Sequence, residues 1–340
     1  MAACLVLVIG SPARESDEGG MIVRLRLPLL ALALFASLPA VASAGPLRSA
    51  IFFYPWYSNM QHDGGYAHWT QGGHTPPFDL ASQFYPVRGP YSSADPRVLR
   101  AQMREIRSSG VDEVVSSWWG QGSPEDVRLP SVIRVARRVH LRVAVQLEPY
   151  PDRTVASVGD DLAYLRSLGI RDVYVYRSED FTSEEWGDVT RQPTGMRLFA
   201  QTSRVGFAAR SGFAGFYTYD ILLYDGAKFA RLCEQARVVG ILCAPSVGPG
   251  YEATAATGDT RVKPRLDGST YDSMWRAADA AGADLVTITS YNEWGEGTQI
   301  EPAGHGGRYE SYDGAYGLHG RPAERAYLMR TRSWTSLTRR

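Results

Sequence analysis

Lysine is almost missing from this 340-residue chain, occurring only at Lys228 and Lys263, so nearly all the positive charge is arginine. The 36 basic residues are balanced by 36 acidic ones, and a formal net charge of +0 leaves no basic field to hold a phosphate backbone. Nucleic acid is therefore not an expected partner, and binding has to come from a local site. Cysteine is equally scarce: beyond Cys4 there are only Cys233 and Cys243, too few to build a metal centre. These two fall on a predicted helix and the strand after it. A bridge between them is sterically open, but two inert buried thiols are the expectation. The six histidines show no ligand spacing and no Asp-rich calcium loop is present, so neither metal nor cofactor is expected. No glycine-flanked serine elbow follows a strand, which argues against serine-based hydrolysis. An open doubly wound sheet would announce a glycine-rich phosphate loop after its first strand; here that place holds Tyr54, Pro55, Trp56 and Tyr57.

The apolar stretch Leu27 to Leu38 is short of the ~20 residues a membrane span needs, and Pro39 interrupts it. It follows Arg24 and Arg26 and precedes the small residues Ala42, Ser43 and Ala44. That order is the pattern of a cleavable secretory signal, Met21 to Ala44. The expected product is secreted or periplasmic, starts near Gly45 and has no stable membrane anchor. Residues 1–20, acidic at their end, precede a complete signal and read as an over-extended start, with Met21 the initiator.

From residue 45 to 340 strand-like and helix-like segments alternate, as βα units do. The strand candidates are Ala50 to Tyr54, Glu113 to Trp118, Arg142 to Glu148, Asp172 to Tyr176, Arg197 to Gln201, Gly215 to Tyr219, Gly240 to Pro245 and Leu285 to Tyr291. Eight of them predict an α/β fold, a single (β/α)8 TIM barrel. Asp95 and Pro96 open one helix, with Leu99, Met103 and Ile106 at helical spacing and Gly110 as its stop. Others are expected over Val155 to Leu168, Ala227 to Val239 and Tyr271 to Ala281, with a closing helix within Pro322 to Leu337. Ser58 to Arg88, rich in Gly, Pro and His, is expected to form a loop over the barrel mouth.

Unusual side chains gather at the predicted strand ends, the face on which such barrels carry their active sites. The apolar run from Thr287 stops abruptly in Asn292, Glu293, Trp294, Gly295, Glu296, Gly297, Thr298, Gln299, Ile300 and Glu301. Glycosidic cleavage needs a proton donor for the leaving oxygen and a second carboxylate as base or nucleophile, and Glu293 and Glu296 supply that pair. Three-residue spacing also suits an exposed helical pair, but flanking glycines and Trp294 favour a shaped, less polar setting. Trp118 and Trp119 point to opposite strand faces, so one is expected to face a ligand and the other to pack. Tyr217 and Tyr219 share a face, which suits either two hydroxyls at the mouth or core burial. His68, beside Trp69, reads equally as a sugar contact and as a loop cap.

These residues, taken in order, resemble glycoside hydrolase family 99. The stretches that carry the resemblance are Phe53 to Tyr57, Gly89 to Ser93 with Asp95 and Pro96, Ser117 to Trp119, Glu148 to Tyr150, Pro245 to Tyr251 with Arg261, and Asn292 to Pro302. The resemblance implies a (β/α)8 barrel that cleaves internal α-mannosidic bonds with retention, without metal or organic cofactor, on an α-linked mannose-containing oligosaccharide or polysaccharide. It further implies that Glu293 takes the proton of the sugar's own 2-hydroxyl, giving a 1,2-anhydro sugar, and that Glu296 serves first as acid and then as base. Tyr54, Trp56, His68, Trp118, Trp119, Glu148, Tyr217, Tyr219, Tyr251, Asn292, Trp294 and Glu301 are the residues expected to line the sugar subsites. The chain departs from the family pattern at Gly295, where many members have His, at Gln146, and at Arg177, Ser178 and Glu179 after the fourth strand. These departures bear on the substrate more than on the chemistry. A non-catalytic carbohydrate-binding barrel and a hydrolase forming a glycosyl-enzyme ester are the competing readings.

Overall fold

A computed structural model describes residues 47–192, 194–305 and 307–338; the signal and leader expected before Gly45 lie outside the described residues. Eight parallel strands form the centre: β1 (Arg48–Phe53), β2 (Glu113–Trp118), β3 (Arg142–Leu147), β4 (Asp172–Val175), β5 (Arg197–Gln201), β6 (Gly215–Tyr217), β7 (Leu242–Ala244) and β8 (Leu285–Ile288). From β1 to β7 each pairs with its sequence neighbour, and β1 pairs with β8. Closure depends on Pro245, which has no N–H to give a ladder. It splits the seventh strand: Leu242–Ala244 pairs with β6, while the next two residues, Ser246–Val247, pair with β8. The two ends of the sheet are thus consecutive pieces of one strand.

Side-chain alternation sorts each strand between two cores. Ala50, Phe52 and Tyr54 point inward with Val115, Ala144, Tyr174, Phe199, Tyr217 and Tyr219, and Phe52 packs edge-on or tilted against Tyr174, Tyr217 and Tyr219 at centroid distances of 5.9, 5.5 and 5.2 Å. Ile51, Phe53, Val114 and Val145 point outward to a second layer beneath the helices, with Met103, Ile106, Leu129, Leu162 and Leu165. Those helices are α1 (Pro96–Ser108), α2 (Pro124–Arg138), α3 (Val155–Ser167), α4 (Ser183–Thr190), α5 (Val205–Arg210), α6 (Phe229–Val239), α7 (Ser269–Ala280) and α8 (Ala326–Leu337). The start of α1 is the expected one, with the Asp95 carboxylate accepting from the Arg97 amide at 2.7 Å and Pro96 in the first turn. Three helices were not among those expected. In α2 the charged residues and an internal Pro130 blur the apolar spacing, although Ser123, Pro124 and the acids Glu125 and Asp126 give a complete start signal. The other two, α4 and α5, are short.

The expectation of free thiols is corrected: Cys233 on α6 and Cys243 on β7 are joined, with Cα atoms 5.2 Å apart. The reverse turn at Gly240 brings the helix end back beside the strand it precedes. Reducing the bridge should lower unfolding free energy by about 2–3 kcal/mol, the loop-entropy value for a short ring. Urea melts of the wild type and of a Cys233→Ser, Cys243→Ser double variant measure it; coincident melts would show the bridge adds nothing.

Candidate active site

The C-terminal ends of the strands converge on three buried carboxylates from two directions. Glu148 follows β3, its Oε1 accepting from the Ser117 hydroxyl at 2.8 Å. Glu293 and Glu296 lie beyond β8, in a turn shaped by the local sequence. The Ser290 hydroxyl accepts from the Glu293 amide at 2.8 Å, and the Gly295 amide donates back to Glu293 Oε1 at 3.1 Å. Gly297 has φ 63, and a Cβ on it would stand 2.9 Å from the Glu252 carbonyl oxygen, so glycine is required. Arg265 braces the same turn, donating to the carbonyls of Gly297 at 2.9 Å and Gln299 at 2.8 Å while lying between the rings of Phe84, Tyr312 and Tyr327.

Tyrosine hydroxyls tie the carboxylates together. Tyr54 and Tyr219 place their hydroxyl oxygens 2.5 Å apart, and the Tyr219 hydroxyl lies 3.4 Å from Glu296 Oε2. Burial pushes the Tyr54 hydroxyl well above its usual value, and the charges of Glu148, Glu293 and Glu296 all push it the same way. A cavity of about 150 Å³ opens beside Glu296, lined by Tyr176, Tyr219, Asp220, Tyr251 and Arg261. Tyr251 is held by its hydroxyl bond to Asp259 at 2.8 Å, and Asp259 is paired with Arg261.

Electrostatics favour neutral acids here. Burial, then the charge of Glu296, pushes Glu293 well above the usual carboxylate range, against the pull of the Gly295 amide. Glu296 is pushed up to about 7 by burial and by Asp220, opposed by the Tyr219 hydroxyl. Glu148 is pushed up to about 8, again by burial first, with Ser117 opposing. A raised carboxyl alone does not mark a site: Glu113, also pushed up to about 8 by burial and by Asp172, lies at the N-terminal end of β2, the opposite end of the barrel.

The remaining expected residues divide. Trp56 and His68 stack with centroids 4.4 Å apart and planes 5° apart, next to Tyr54, and burial followed by the Arg128 charge lowers His68 to about 4, so its ring is neutral. Nδ1 of His68 is buried with no hydrogen-bond partner among the described residues, leaving a polar atom for a hydroxylated ligand. Trp119, 36% exposed, stands at the mouth. Tyr217 is fully buried, with no hydrogen-bond partner for its hydroxyl among the described residues. Three assignments are corrected. Trp118 turns outward and donates its indole N–H to Asp126 at 2.8 Å, packing on Tyr150 and Tyr164. Trp294 is fully buried in the outer core, its indole bonded to Glu301 at 2.9 Å. Glu301 is fully buried, enclosed by Arg88, Tyr91 and Gln102. Asn292 supports the site without facing it: its carboxamide makes a reciprocal pair with the backbone of Tyr54, at 2.8 and 2.9 Å, fixing β1 to the end of β8. Asp220 and Tyr176 line the cavity but were not singled out, although Tyr176 ends one predicted strand and Asp220 directly follows another.

The family profile described as Glycosyl hydrolase family 99 matches residues 47–340. The chain is 31% identical over 318 residues to the glycoprotein endo-alpha-1,2-mannosidase of Xenopus laevis, covering 74% of this chain and 69% of that one. It is 30% identical over 331 residues to a glycoprotein endo-alpha-1,2-mannosidase-like protein of Mus musculus, covering 78% and 73% respectively. Among solved structures it is similar to the GH99 endo-alpha-mannosidase of Bacteroides thetaiotaomicron, with a TM-score of 0.75 at 28% identity over 86% of this chain and 97% of that one.

Proposed function

Since the chain belongs to glycosyl hydrolase family 99, we propose that it hydrolyses internal α-mannosidic bonds with retention of configuration, through a 1,2-anhydro sugar. Ionised Glu293 takes the proton of the 2-hydroxyl, O2 bonds to the anomeric carbon, and the glycosidic bond breaks as Glu296 protonates the departing oxygen. Water then attacks the anomeric carbon, Glu296 takes its proton, and Glu293 returns the first proton to O2 as the epoxide opens. Two inversions leave the starting configuration. The observation that carries this reading is the gathering of Glu148, Glu293 and Glu296 about the Tyr54 and Tyr219 hydroxyls. Burial in the free site favours the neutral form of Glu293. A sugar hydroxyl donated to Glu293 would add to the Gly295 amide bond and stabilise its anion, while the glycosidic oxygen accepts from Glu296.

The test is incubation with linear α-mannooligosaccharides followed by NMR of the products. Shorter oligosaccharides appearing first as the α anomer are expected; first appearance of the β anomer contradicts the proposal, and binding with no shorter product assigns the chain to the non-catalytic barrels. The pH profile of kcat, which reports the substrate complex, should be bell-shaped, because turnover needs one carboxyl charged and one protonated. Activity rises from acid pH as Glu293 ionises against the bound 2-hydroxyl and falls at higher pH as Glu296, whose carboxyl burial already raises, loses the proton it must give. A profile still rising at pH 9 would assign the acid to another group. The proposal includes export: Met21 to Ala44 has the composition of a secretory signal, and a Cys233–Cys243 bridge suits an oxidising compartment. N-terminal sequencing of exported protein should begin near Gly45; an intact Met21 contradicts it.

A further inference from the structure

Gly295 stands between the two carboxylates, and the room left by its missing side chain is taken by other elements. A Cβ at Gly295 would stand 3.2 Å from Glu293 Oε1, 3.3 Å from Ala256 Cβ and 3.3 Å from Gln71 Oε1. Gln71 belongs to the Ser58 to Arg88 segment, so the amide of a distant loop shares one small space with the carboxylate of Glu293. The turn that carries it, Gln71–Gly73, is laid against the helical turn Thr254–Thr257. That approach depends on Gly72, which has φ 66 and on which a Cβ would stand 2.4 Å from the Ala255 carbonyl oxygen. His74 closes the other side, with Nε2 2.9 Å from the same carbonyl oxygen and Nδ1 2.5 Å from Asp79 Oδ1. Arg308 pairs with Asp79 from the opposite direction. The turn is therefore clamped, yet Gln71 itself is exposed and its carboxamide makes no hydrogen bond among the described residues.

A fixed backbone that presents an unused donor and acceptor beside a reacting carboxylate has a definite chemical fit. A carboxamide both gives and accepts, as a sugar hydroxyl does, and carries no charge to disturb Glu293. We infer that Gln71 binds substrate directly: its carboxamide hydrogen-bonds a hydroxyl of the glycan held beside Glu293, and the Gln71–Gly73 turn forms a rigid rim closing the site at Gly295. This rests on the reading that the substrate is a glycan. It makes Gln71 a specificity residue supplied by the mouth loop, and makes Gly72 and His74 the residues that position it.

Steady-state kinetics of the full-length protein on a linear α-mannooligosaccharide tests it, with Gln71→Ala, Gly72→Ala and the double variant beside the wild type. Loss of one neutral hydrogen bond should raise KM about three- to tenfold, with kcat within about twofold of wild type. Gly72→Ala should raise KM in the same sense, because the whole turn lifts, and the double variant should be no worse than the more affected single one. Circular dichroism melts check folding; if Gly72→Ala fails to fold, Gln71→Ala decides alone. An unchanged KM for Gln71→Ala in a protein that turns over overturns this inference and leaves the hydrolase reading standing. A fall in kcat with KM unchanged also overturns it. A wild type that neither cleaves nor binds the oligosaccharide overturns the hydrolase reading, and this inference with it.

Discussion

Replacing Glu293 or Glu296 by glutamine should lower kcat by roughly two to four orders of magnitude, the usual worth of a general acid or base. Neither change should unfold the protein, because glutamine keeps an acceptor oxygen for the Gly295 amide at position 293 and for the Tyr219 hydroxyl at position 296. The two variants should differ in their response to the leaving group. Departing fluoride needs little protonation, so Glu296→Gln should recover most of the first step on an α-mannosyl fluoride. Glu293→Gln should not, since its defect is in activating the 2-hydroxyl. Stopped-flow or electrode measurement of fluoride release separates them. Equal recovery in both variants would remove the division of labour, and full activity in either would remove that residue from the chemistry.

Glu301→Ala should lower unfolding free energy by about 3–5 kcal/mol, the cost of breaking a buried, hydrogen-bonded ion pair by removing one partner. The carboxylate accepts from Arg88 at 3.0 Å, Gln102 at 2.9 Å, the Tyr91 hydroxyl at 2.7 Å and the Trp294 indole at 2.9 Å. Its loss takes the acceptor from all four; the buried Gln102 amide has no other acceptor among the described residues, and the Trp294 indole keeps only the Tyr91 hydroxyl at 3.3 Å. Arg88 keeps Glu105, which also receives the Tyr291 hydroxyl, so the network is weakened rather than abolished. Urea unfolding with wild-type slope and a lowered midpoint is the expected result. A variant of unchanged stability and raised KM would instead return Glu301 to the sugar site.

The contrast between Glu301 and its neighbours shows how far the sequence could be read. The strand positions were legible because β-branched and aromatic runs separated by capped helices have only a few arrangements, and their C-terminal ends then locate the mouth. Thus Tyr54, Glu148, Tyr219, Tyr251, Glu293 and Glu296 could be named before any coordinates. Within the Asn292 to Pro302 stretch the reading fails, because the chain there follows no regular period. Glu293 and Glu296 turn to the mouth while Trp294 and Glu301 turn into the outer core, and only the turn geometry at Gly295 and Gly297 decides which. At Trp118 and Trp119 alternation gave two faces but not which was inward; Asp126, in the first turn of the unrecognised helix α2, accepts the Trp118 indole N–H on the outer side. The Cys233–Cys243 bridge depended on how tightly Gly240 returns the chain, which spacing alone does not give. Gln71 was invisible for a different reason: its neighbours at Gly295 and Ala256 are remote in the chain, and only tertiary closure brings them together.

The most direct measurement is a crystal structure of the Glu293→Gln variant with a bound α-mannooligosaccharide. The account predicts one pyranose ring whose 2-hydroxyl lies within hydrogen-bond distance of position 293 and whose glycosidic oxygen lies within that distance of Glu296. A sugar bound with both oxygens remote from these two side chains would contradict it.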